Sequence, residues 1–286
     1  MKKLFILCLS LILVGCSGLV IQGINVGRVA DIGKKVLTSG DVSYEEEQNI
    51  GAQMTAVILG GASLHKNESV QQYVNRVGRW VALQSERPDI FWQFGVVDSP
   101  SINAFAMPGG YILVTTELLQ TLSSEAELAA VLAHEIAHIN ERHHLVAMEK
   151  SNQLSLVGDV AMLAGDVYQA KNPGSANSDF YKNRAIAKQL INTTHNLYTK
   201  GLSKDDEYKA DASAVVLLVR AGYDPYALVS VLQKLDQLNP DDSALQMLFN
   251  SHPKPVERLD AVSHIYDGLN EETGLSLPQR FYDIVM

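Results

Sequence analysis

The pattern of apolar and polar positions divides the chain into helical and extended stretches. Ser43, followed three residues later by Glu46, has the form of a capping box, so a helix is predicted to begin there. Between residues 67 and 85, apolar side chains recur every three or four positions, which is typical of an amphipathic helix. The chain is therefore predicted to be largely helical from residue 43 to residue 85.

The spacing of apolar side chains changes after residue 90. Residues 91–97, 102–107 and 111–115 are short apolar runs with the composition of strands. The Pro-Gly-Gly sequence at 108–110 predicts a turn between the second and third runs. We expect a small three-stranded sheet beside the helices.

The helical pattern returns at Ser124, with Glu127 in the capping-box position, and continues to about Ala147. Residues 154–168 predict a further packed helix, and the sequence KNPGSANS at 171–178 predicts a loop. Other helices are predicted from apolar periodicity at roughly 180–199, 203–221, 225–238, 241–249 and 255–268. The expected fold class is α+β and mostly helical, with one domain over residues 43–286.

The N-terminus has the layout of a secretion signal. Lys2 and Lys3 precede an apolar run that is too short to cross a bilayer as a helix, and Gly15 then precedes Cys16. This order resembles a bacterial lipoprotein signal, which predicts a signal peptide at residues 1–15 and lipidation of Cys16. An ordinary signal peptide with a chance cysteine is the alternative. Residues 16–42 are predicted to be a tether with a candidate first helix.

Composition narrows the class of partner. The chain has 23 basic and 32 acidic side chains and a net charge of −9, which argues against nucleic-acid binding and against attraction to anionic lipid. Membrane attachment is therefore expected through the lipid on Cys16. The residue after Cys16 is serine rather than aspartate, which favours the periplasmic side of the outer membrane in a Gram-negative cell.

The sequence AHEIAHINERHH at 133–144 carries the strongest chemical signal. His134 and His138 are four positions apart, so on a helix both rings lie on one face. This is the HExxH arrangement, in which two imidazoles bind zinc and the carboxylate, here Glu135, acts as general base toward a water molecule. A coincidental polar helix face is the alternative, but the apolar neighbours make an uncompensated charged group there costly.

Two residues compete for the place of third ligand. His144 has the metzincin spacing, but position 141 is Glu141 where that turn needs glycine. If the helix continues, His143 and His144 lie behind the ligands or on the surface. The stronger candidate is Glu207, which follows a predicted helix start at Ser203. Asp211, one turn after Glu207, could accept the free ring N–H of a ligating histidine.

The chain resembles the HtpX- and BepA-like zinc metallopeptidases, which are relatives of the CAAX prenyl endopeptidases. The resemblance covers about residues 45–265 and rests on four stretches: INAFAMPGGYILVTTELL at 102–119, HEIAHINERH at 134–143, EYKAD at 207–211 and SHPKPVERL at 251–259. It implies a gluzincin-type domain with one zinc ion bound by His134, His138 and Glu207. Glu135 would be the general base and Asp211 the carboxylate behind the ligands.

The same resemblance implies further site residues. The strand that would bind substrate backbone by strand addition corresponds to Asn103, Ala104, Phe105 and Ala106. His252 would approach the metal, either as a fourth ligand in a latent state or as an electrophile near the oxyanion, and these two roles oppose one another. Arg258 would orient the loop of His252 or bind a substrate carbonyl.

These observations predict a zinc-dependent endopeptidase of the cell envelope. By resemblance, its substrates would be misfolded or damaged periplasmic and outer-membrane proteins. A zinc-stabilised chaperone or assembly factor that holds such proteins without cutting them is the alternative, although pure binding has no need of Glu135. A lipid-anchored structural protein would require the spacings of both motifs to be accidental.

Overall fold

A computed structural model describes residues 20–21, 24–25, 42–151, 191–192, 194–198, 200–239, 242–266 and 274–286. The predicted signal peptide, Cys16, the predicted helix of residues 154–168 and the loop of residues 171–178 lie outside these ranges. Within the predicted tether, two short strands, β1 (Val20–Ile21) and β2 (Ile24–Asn25), pair in antiparallel orientation.

The described residues confirm a mostly helical α+β fold. The helices are α1 (Tyr44–Gly61), α2 (Glu68–Ala82), α3 (Thr116–Thr121), α4 (Glu125–Asn140), α5 (His143–Lys150), α6 (Lys204–Ala221), α7 (Ala227–Gln237), α8 (Gln246–Ser251), α9 (Pro255–Tyr266) and α10 (Pro278–Val285). Several begin at predicted caps. Ser43 and Glu46 form a reciprocal capping box, while Ser124 and Ser203 each accept a backbone N–H three residues on.

The predicted sheet is present, and its order is β3 (Gln93–Val97), β5 (Tyr111–Thr115), β4 (Ala104–Met107). β3 runs parallel to the central β5, and β4 runs antiparallel to it. The turn between β4 and β5 needs glycine, because Gly109 has φ +78° and a Cβ there would lie 2.5 Å from Cα of Gln48. The strand that precedes this turn is the one that faces the site.

Helix α4 lies at the centre of the molecule, and all its residues except Asn140 are buried. It packs against α6, α2 and α7. The main core includes Val74, Leu128, Leu132, Leu218 and Leu232. A second cluster, which includes Met54, Met107, Leu145 and Met148, joins α1, β4 and α5. Burial of α4 on every side holds the HExxH residues in a rigid position.

Helices α3 and α10 were not predicted. Helix α10 docks on the start of α4, where Phe281 is fully buried and Arg280 forms a hydrogen-bonded ion pair with Glu125. Tyr73 and Tyr223 also donate hydrogen bonds to Glu125, at 2.8 and 2.7 Å. No helix in the described ranges has both the length and the hydropathy of a membrane span.

Candidate metal and active site

Helix α4 presents His134 and His138 on one face, one turn apart, as the spacing predicts. Their Nε2 atoms lie 3.0 Å from each other. Both rings are buried, at 4% and 1% exposure. Two ring nitrogens that face each other at this distance can direct their lone pairs to one ion.

The prediction that α4 continues to about Ala147 is wrong. The helix ends at Asn140, and Arg142 adopts the left-handed conformation with φ 54° before α5 begins. The Arg142 guanidinium contacts the Glu47 carboxylate at 3.1 Å and donates to the carbonyl of Val42 at 3.2 Å. Contacts from another part of the chain therefore stabilise a turn that has no glycine.

The turn brings the next two histidines back toward the site. Nδ1 of His143 lies 2.9 Å from Nδ1 of His138, so His143 lies behind a predicted ligand. The ring centroid of His144 is 5.8 Å from that of His138, and burial lowers the pKa of His144 to about 3. His144 is not part of the group of converging donor atoms, which consists of His134, His138, Glu207 and His252.

Helix α6 brings Glu207 to the two histidines, across a long separation in sequence. Its Oε2 lies 3.5 Å from Nε2 of His134, and its Oε1 lies 3.5 Å from Nε2 of His138. Glu207 is fully buried. Burial alone would raise the pKa of its carboxyl, but His252 and His138 hold that pKa well below its usual value. Glu207 is therefore ionised, and its carboxylate oxygens lie next to the Nε2 atoms of His134 and His138.

The residues present fit a zinc ion. Oε1 of Glu207 is buried and has no hydrogen-bond partner among the described residues. Burial of an unpaired carboxylate oxygen costs free energy unless a cation binds to it. Burial keeps the pKa of His138 well below its usual value, so that this ring is neutral. One ligand atom from each of four residues, including the carboxylate oxygen of Glu207, lies within 4.8 Å of the others. Imidazoles and a carboxylate are donors that zinc takes in proteins.

Asp211 and Arg258 lie behind His134. Arg258 donates from Nε and Nη2 to the Asp211 carboxylate at 2.8 and 2.6 Å. Burial would raise the pKa of Asp211, but Arg258 and His134 lower it to about 2. Arg258 is 5% exposed, and both its carboxylate contacts are made to Asp211, behind His134.

His252 follows α8 and belongs to the same group of converging donor atoms. Its Nδ1 lies 2.6 Å from Oε2 of Glu207, and its ring centroid lies 5.4 Å from that of His134. Of the two roles implied for His252, this arrangement matches that of a fourth metal ligand.

Glu135 lies at the meeting point of two cavities. One contains His138, Glu207 and His252 in its lining, and the other contains His134 and Arg258. The Glu135 side chain is 4% exposed, and burial raises the pKa of its carboxyl. A carboxyl with a raised pKa next to a metal position can take up and release a proton.

Strand β4 lies along the same cleft, and Ala104 lines both cavities. Asn103, Ala104, Phe105 and Ala106 are all buried. Among the described residues β4 pairs along one edge, with β5. At its other edge the Tyr198 hydroxyl donates to the carbonyl of Ala106 at 2.9 Å. Sequence reasoning missed Tyr198, since a lone tyrosine in a helical stretch carries no local signal.

Metallopeptidases are the class in which a helical pair of histidines, a buried glutamate beside them and a distant carboxylate converge in this way. The model of peptidase family M48 matches residues 65–266. The chain belongs to peptidase family M48, as the sequence resemblance predicted.

Individual relatives agree with this assignment. The chain is 31% identical over 219 residues to the beta-barrel assembly-enhancing protease of Yersinia pestis, a match that covers 76% of this chain and 43% of that protein. It is 32% identical over 178 residues to the mitochondrial metalloendopeptidase OMA1 of Arabidopsis thaliana, covering 62% of this chain and 32% of that one. A protease HtpX homolog of Ligilactobacillus salivarius is 28% identical over 199 residues, a match that covers 59% of this chain and 66% of that protein. The match spans less than half the length of the first two relatives.

Proposed function

We propose that this chain is a zinc-dependent endopeptidase of the cell envelope that cleaves misfolded or damaged envelope proteins. The observation that carries the proposal is the convergence of Glu207, from α6, on the two histidines of α4, with Glu135 at the same cleft. A protein that only holds its partners has no need of a buried carboxylate with a raised pKa beside a metal position. A relative named a beta-barrel assembly-enhancing protease supports envelope proteins as the substrates.

The chemistry follows from the positions of the side chains. When bound, zinc supplies a Lewis acid that polarises a peptide carbonyl and lowers the pKa of a water molecule. Glu135 takes the proton of the attacking water and passes it to the leaving amine. His143 and Asp211 hold the rings of His138 and His134 in orientation from behind.

The substrate backbone would add to the edge of β4 opposite β5, which pairs with no strand among the described residues. Extended peptides commonly bind an exposed strand edge through main-chain hydrogen bonds. The Tyr198 hydroxyl is bonded to the Ala106 carbonyl at that edge, so an incoming substrate N–H would replace it there. Binding in this manner requires an extended backbone, which unfolded polypeptides provide.

The proposal is tested with the zinc-loaded full-length chain in detergent and a denatured protein such as casein. We expect cleavage by the wild type and none by Glu135→Gln, with zinc still bound in both. Glu141→Gln, which makes the same change at an exposed position one residue after α4, should cleave as the wild type does. Cleavage by Glu135→Gln would refute the role of Glu135. Stable complexes of wild type with intact casein, without fragments, would instead favour a holding chaperone.

We also propose that Cys16 carries the lipid that anchors the protein to the periplasmic side of the outer membrane. The support is the order of the basic, apolar and small residues that precede Cys16. Metabolic labelling with an alkyne fatty acid should label the wild type and Cys8→Ser, whereas Cys16→Ser should lose the label and leave the membrane fraction. Persistent labelling of Cys16→Ser would refute the anchor.

A further inference from the structure

A group of exposed apolar side chains lies where the C-terminal ends of α2 and α6 meet. Its members are between 44% and 58% exposed: Trp80 of α2, its C-cap Leu83, and Val216 and Val219 of α6. The Trp80 Nε1–H donates a hydrogen bond to the carbonyl of Ala221 at 2.9 Å, which joins the two helix ends and holds the indole ring in place. Single exposed apolar side chains are common, but a group of them on one surface indicates contact with another molecule.

Two arginines of α2 border the apolar group. Arg76 lies one turn before Trp80, and Arg79 lies one turn before Leu83, so the four side chains share one stripe of the helix. Both arginines are exposed, and neither makes a side-chain hydrogen bond or ion pair with a residue that the structure describes. This local positive charge contrasts with the net charge of −9 of the whole chain. The surface therefore suits a partner with negative charge beside apolar groups.

The acidic residue that follows α2 does not offset this charge. Glu86 is already paired with Arg220 of α6 at 2.7 Å. Arg220 also donates a hydrogen bond to the carbonyl of Gln84 at 3.3 Å, which is a second link between the ends of the two helices. We call this surface the α2/α6 face; it consists of Arg76, Arg79, Trp80, Leu83, Val216 and Val219.

The α2/α6 face lies on the side of α6 away from the metal ligands. Val216 comes nine residues after Glu207, which is about two and a half helical turns, so the two side chains point in opposite directions. Glu207 is buried and Val216 is exposed, as this spacing requires. A partner bound at the α2/α6 face would therefore leave the metal-binding side of α6 unobstructed.

Anionic phospholipid headgroups match this combination of side chains. The guanidinium of arginine binds phosphate through paired N–H donors, and tryptophan favours the headgroup region of a bilayer. Leucine and valine beside them would be buried at the boundary between headgroups and acyl chains. A second copy of this chain matches less well, because a two-fold contact through this face would bring two pairs of arginines into one interface.

We propose that the α2/α6 face lies against the bilayer surface, with Trp80 and Leu83 among the headgroups and Arg76 and Arg79 on anionic phosphates. The net charge of the chain does not oppose this contact, because salt screens exposed charges beyond about 8 Å. The contact is independent of the proposed peptidase activity and of lipidation at Cys16. It fixes the orientation of the domain, so that polypeptides reach the metal site from the side away from the membrane.

The two tryptophans of the chain provide a direct test. The full-length chain is bound to vesicles of phosphatidylethanolamine and phosphatidylglycerol whose acyl chains carry bromine, which quenches tryptophan fluorescence on contact. Trp92→Phe leaves Trp80 as the fluorophore, and we expect its fluorescence to be quenched relative to vesicles without bromine. Trp80→Phe is the matched control, because Trp92 is 5% exposed and stacked on Phe94, and it should not be quenched. An unquenched Trp80 in vesicle-bound protein would overturn the proposal.

Charge variants in the Trp92→Phe chain test the role of the arginines. Arg76→Gln and Arg79→Gln should each lower the ratio of quenched to unquenched Trp80 about fivefold on these vesicles, and should have no effect on neutral phosphatidylcholine vesicles. Lys254→Gln, which removes the same charge at an exposed position outside this face, should quench as the parent does. Equal quenching in all three variants would exclude a contact between the arginines and phosphate.

An apolar variant in the same chain tests the other half of the face. Leu83→Ser should lower the quenching of Trp80, because it removes apolar surface that the bilayer would bury. Leu64→Ser is the matched control, since Leu64 is 50% exposed and precedes the opposite end of α2. Equal quenching in folded Leu83→Ser and Leu64→Ser would contradict burial of this face in the bilayer.

Two further results would assign the α2/α6 face to another partner. Protection of Trp80 from acrylamide that rises with protein concentration without lipid, together with dimers in analytical ultracentrifugation, would make it a self-association surface. Protection by denatured casein but not by vesicles would make it a surface that holds substrate. Either result would overturn the membrane contact, and neither would affect the proposed peptidase, which is tested by Glu135→Gln.

Discussion

Nδ1 of His134 lies 2.8 Å from Oδ1 of Asp211. An ionised carboxylate only accepts hydrogen bonds, so in the neutral ring this contact assigns the proton of His134 to Nδ1 and leaves the lone pair on Nε2. Burial and Arg258 lower the pKa of His134, but Asp211 and Glu207 raise it to about 9. The same two carboxylates that favour positive charge on this ring favour a divalent cation beside it.

Asp211→Asn should weaken zinc binding by about 10–100-fold, the usual cost of losing a group that orients a metal ligand. An amide cannot accept both hydrogen bonds from Arg258 as well as the one from His134, and it leaves the guanidinium buried without a balancing charge. Zinc affinity is measured by competition with a chromogenic chelator. Asp205→Asn, at an exposed position in the same helix, should bind zinc as the wild type does, and unchanged affinity in folded Asp211→Asn would contradict the role of Asp211.

Features that depend on spacing within one helix were readable from sequence. His134 with His138, and Glu207 with Asp211, are four apart, and a helix places each pair on one face. The strands at 102–107 and 111–115 were readable because an apolar run on either side of Pro-Gly-Gly has few alternatives. The order of motifs then indicated which helices meet.

Features that depend on distant contacts were not readable. Glu141 and Arg142 are good helix formers, so local propensity favours a continuous helix, and the contact with Glu47 overrides it. Helix α10 has eight residues, too few for a reliable periodic signal, and depends on Arg280 reaching Glu125. The cavity that contains His134 and Arg258 in its lining likewise forms only where elements far apart in sequence meet, among them β4, α4, α7 and α9.

Glu47→Gln should lower the free energy of unfolding by about 3 kcal/mol or more, as is usual when one partner of a buried ion pair is removed. Glu47 is fully buried, receives two hydrogen bonds from Arg87 at 2.9 and 2.8 Å, contacts Arg142 and accepts the N–H of Gly109. Urea unfolding measures the change. Glu45→Gln, two residues earlier and exposed, should unfold as the wild type does, and equal stability of the two variants would show that the network contributes little.

Alkaline pH should destabilise the protein through Tyr73 and Tyr223. Burial and the hydrogen bonds to Glu125 raise the pKa of both phenols above the usual value of 10.0. The folded protein therefore keeps these protons at a pH where the unfolded chain releases them. Their contribution to stability is complete below pH 10 and is lost as the pH rises above it, by up to about 1.4 kcal/mol per pH unit for each tyrosine.

Tyr73→Phe and Tyr223→Phe check this dependence. Each variant should be less stable at neutral pH, because a hydrogen bond to Glu125 is lost, and each should show a shallower loss of stability between about pH 10 and 11.5. Unfolding in urea at a series of pH values gives the slopes. Tyr282→Phe, at a position that is 43% exposed, is the control and should keep the wild-type slope. An unchanged slope in both buried variants would exclude these tyrosines as the cause.

His252→Ala distinguishes the two roles that the sequence left open for this histidine. Because Nδ1 of His252 lies 2.6 Å from Oε2 of Glu207, within the group of donor atoms, we expect it to act as a fourth ligand. Its removal should lower zinc affinity by at least the about 10–100-fold that loss of a group behind a metal ligand costs and, once zinc is saturating, should not lower the rate of casein cleavage. His264→Ala, at an exposed position in α9, should leave both quantities unchanged. A large fall in kcat with unaltered zinc affinity would instead assign His252 to stabilisation of the oxyanion, since that interaction exists only in the transition state.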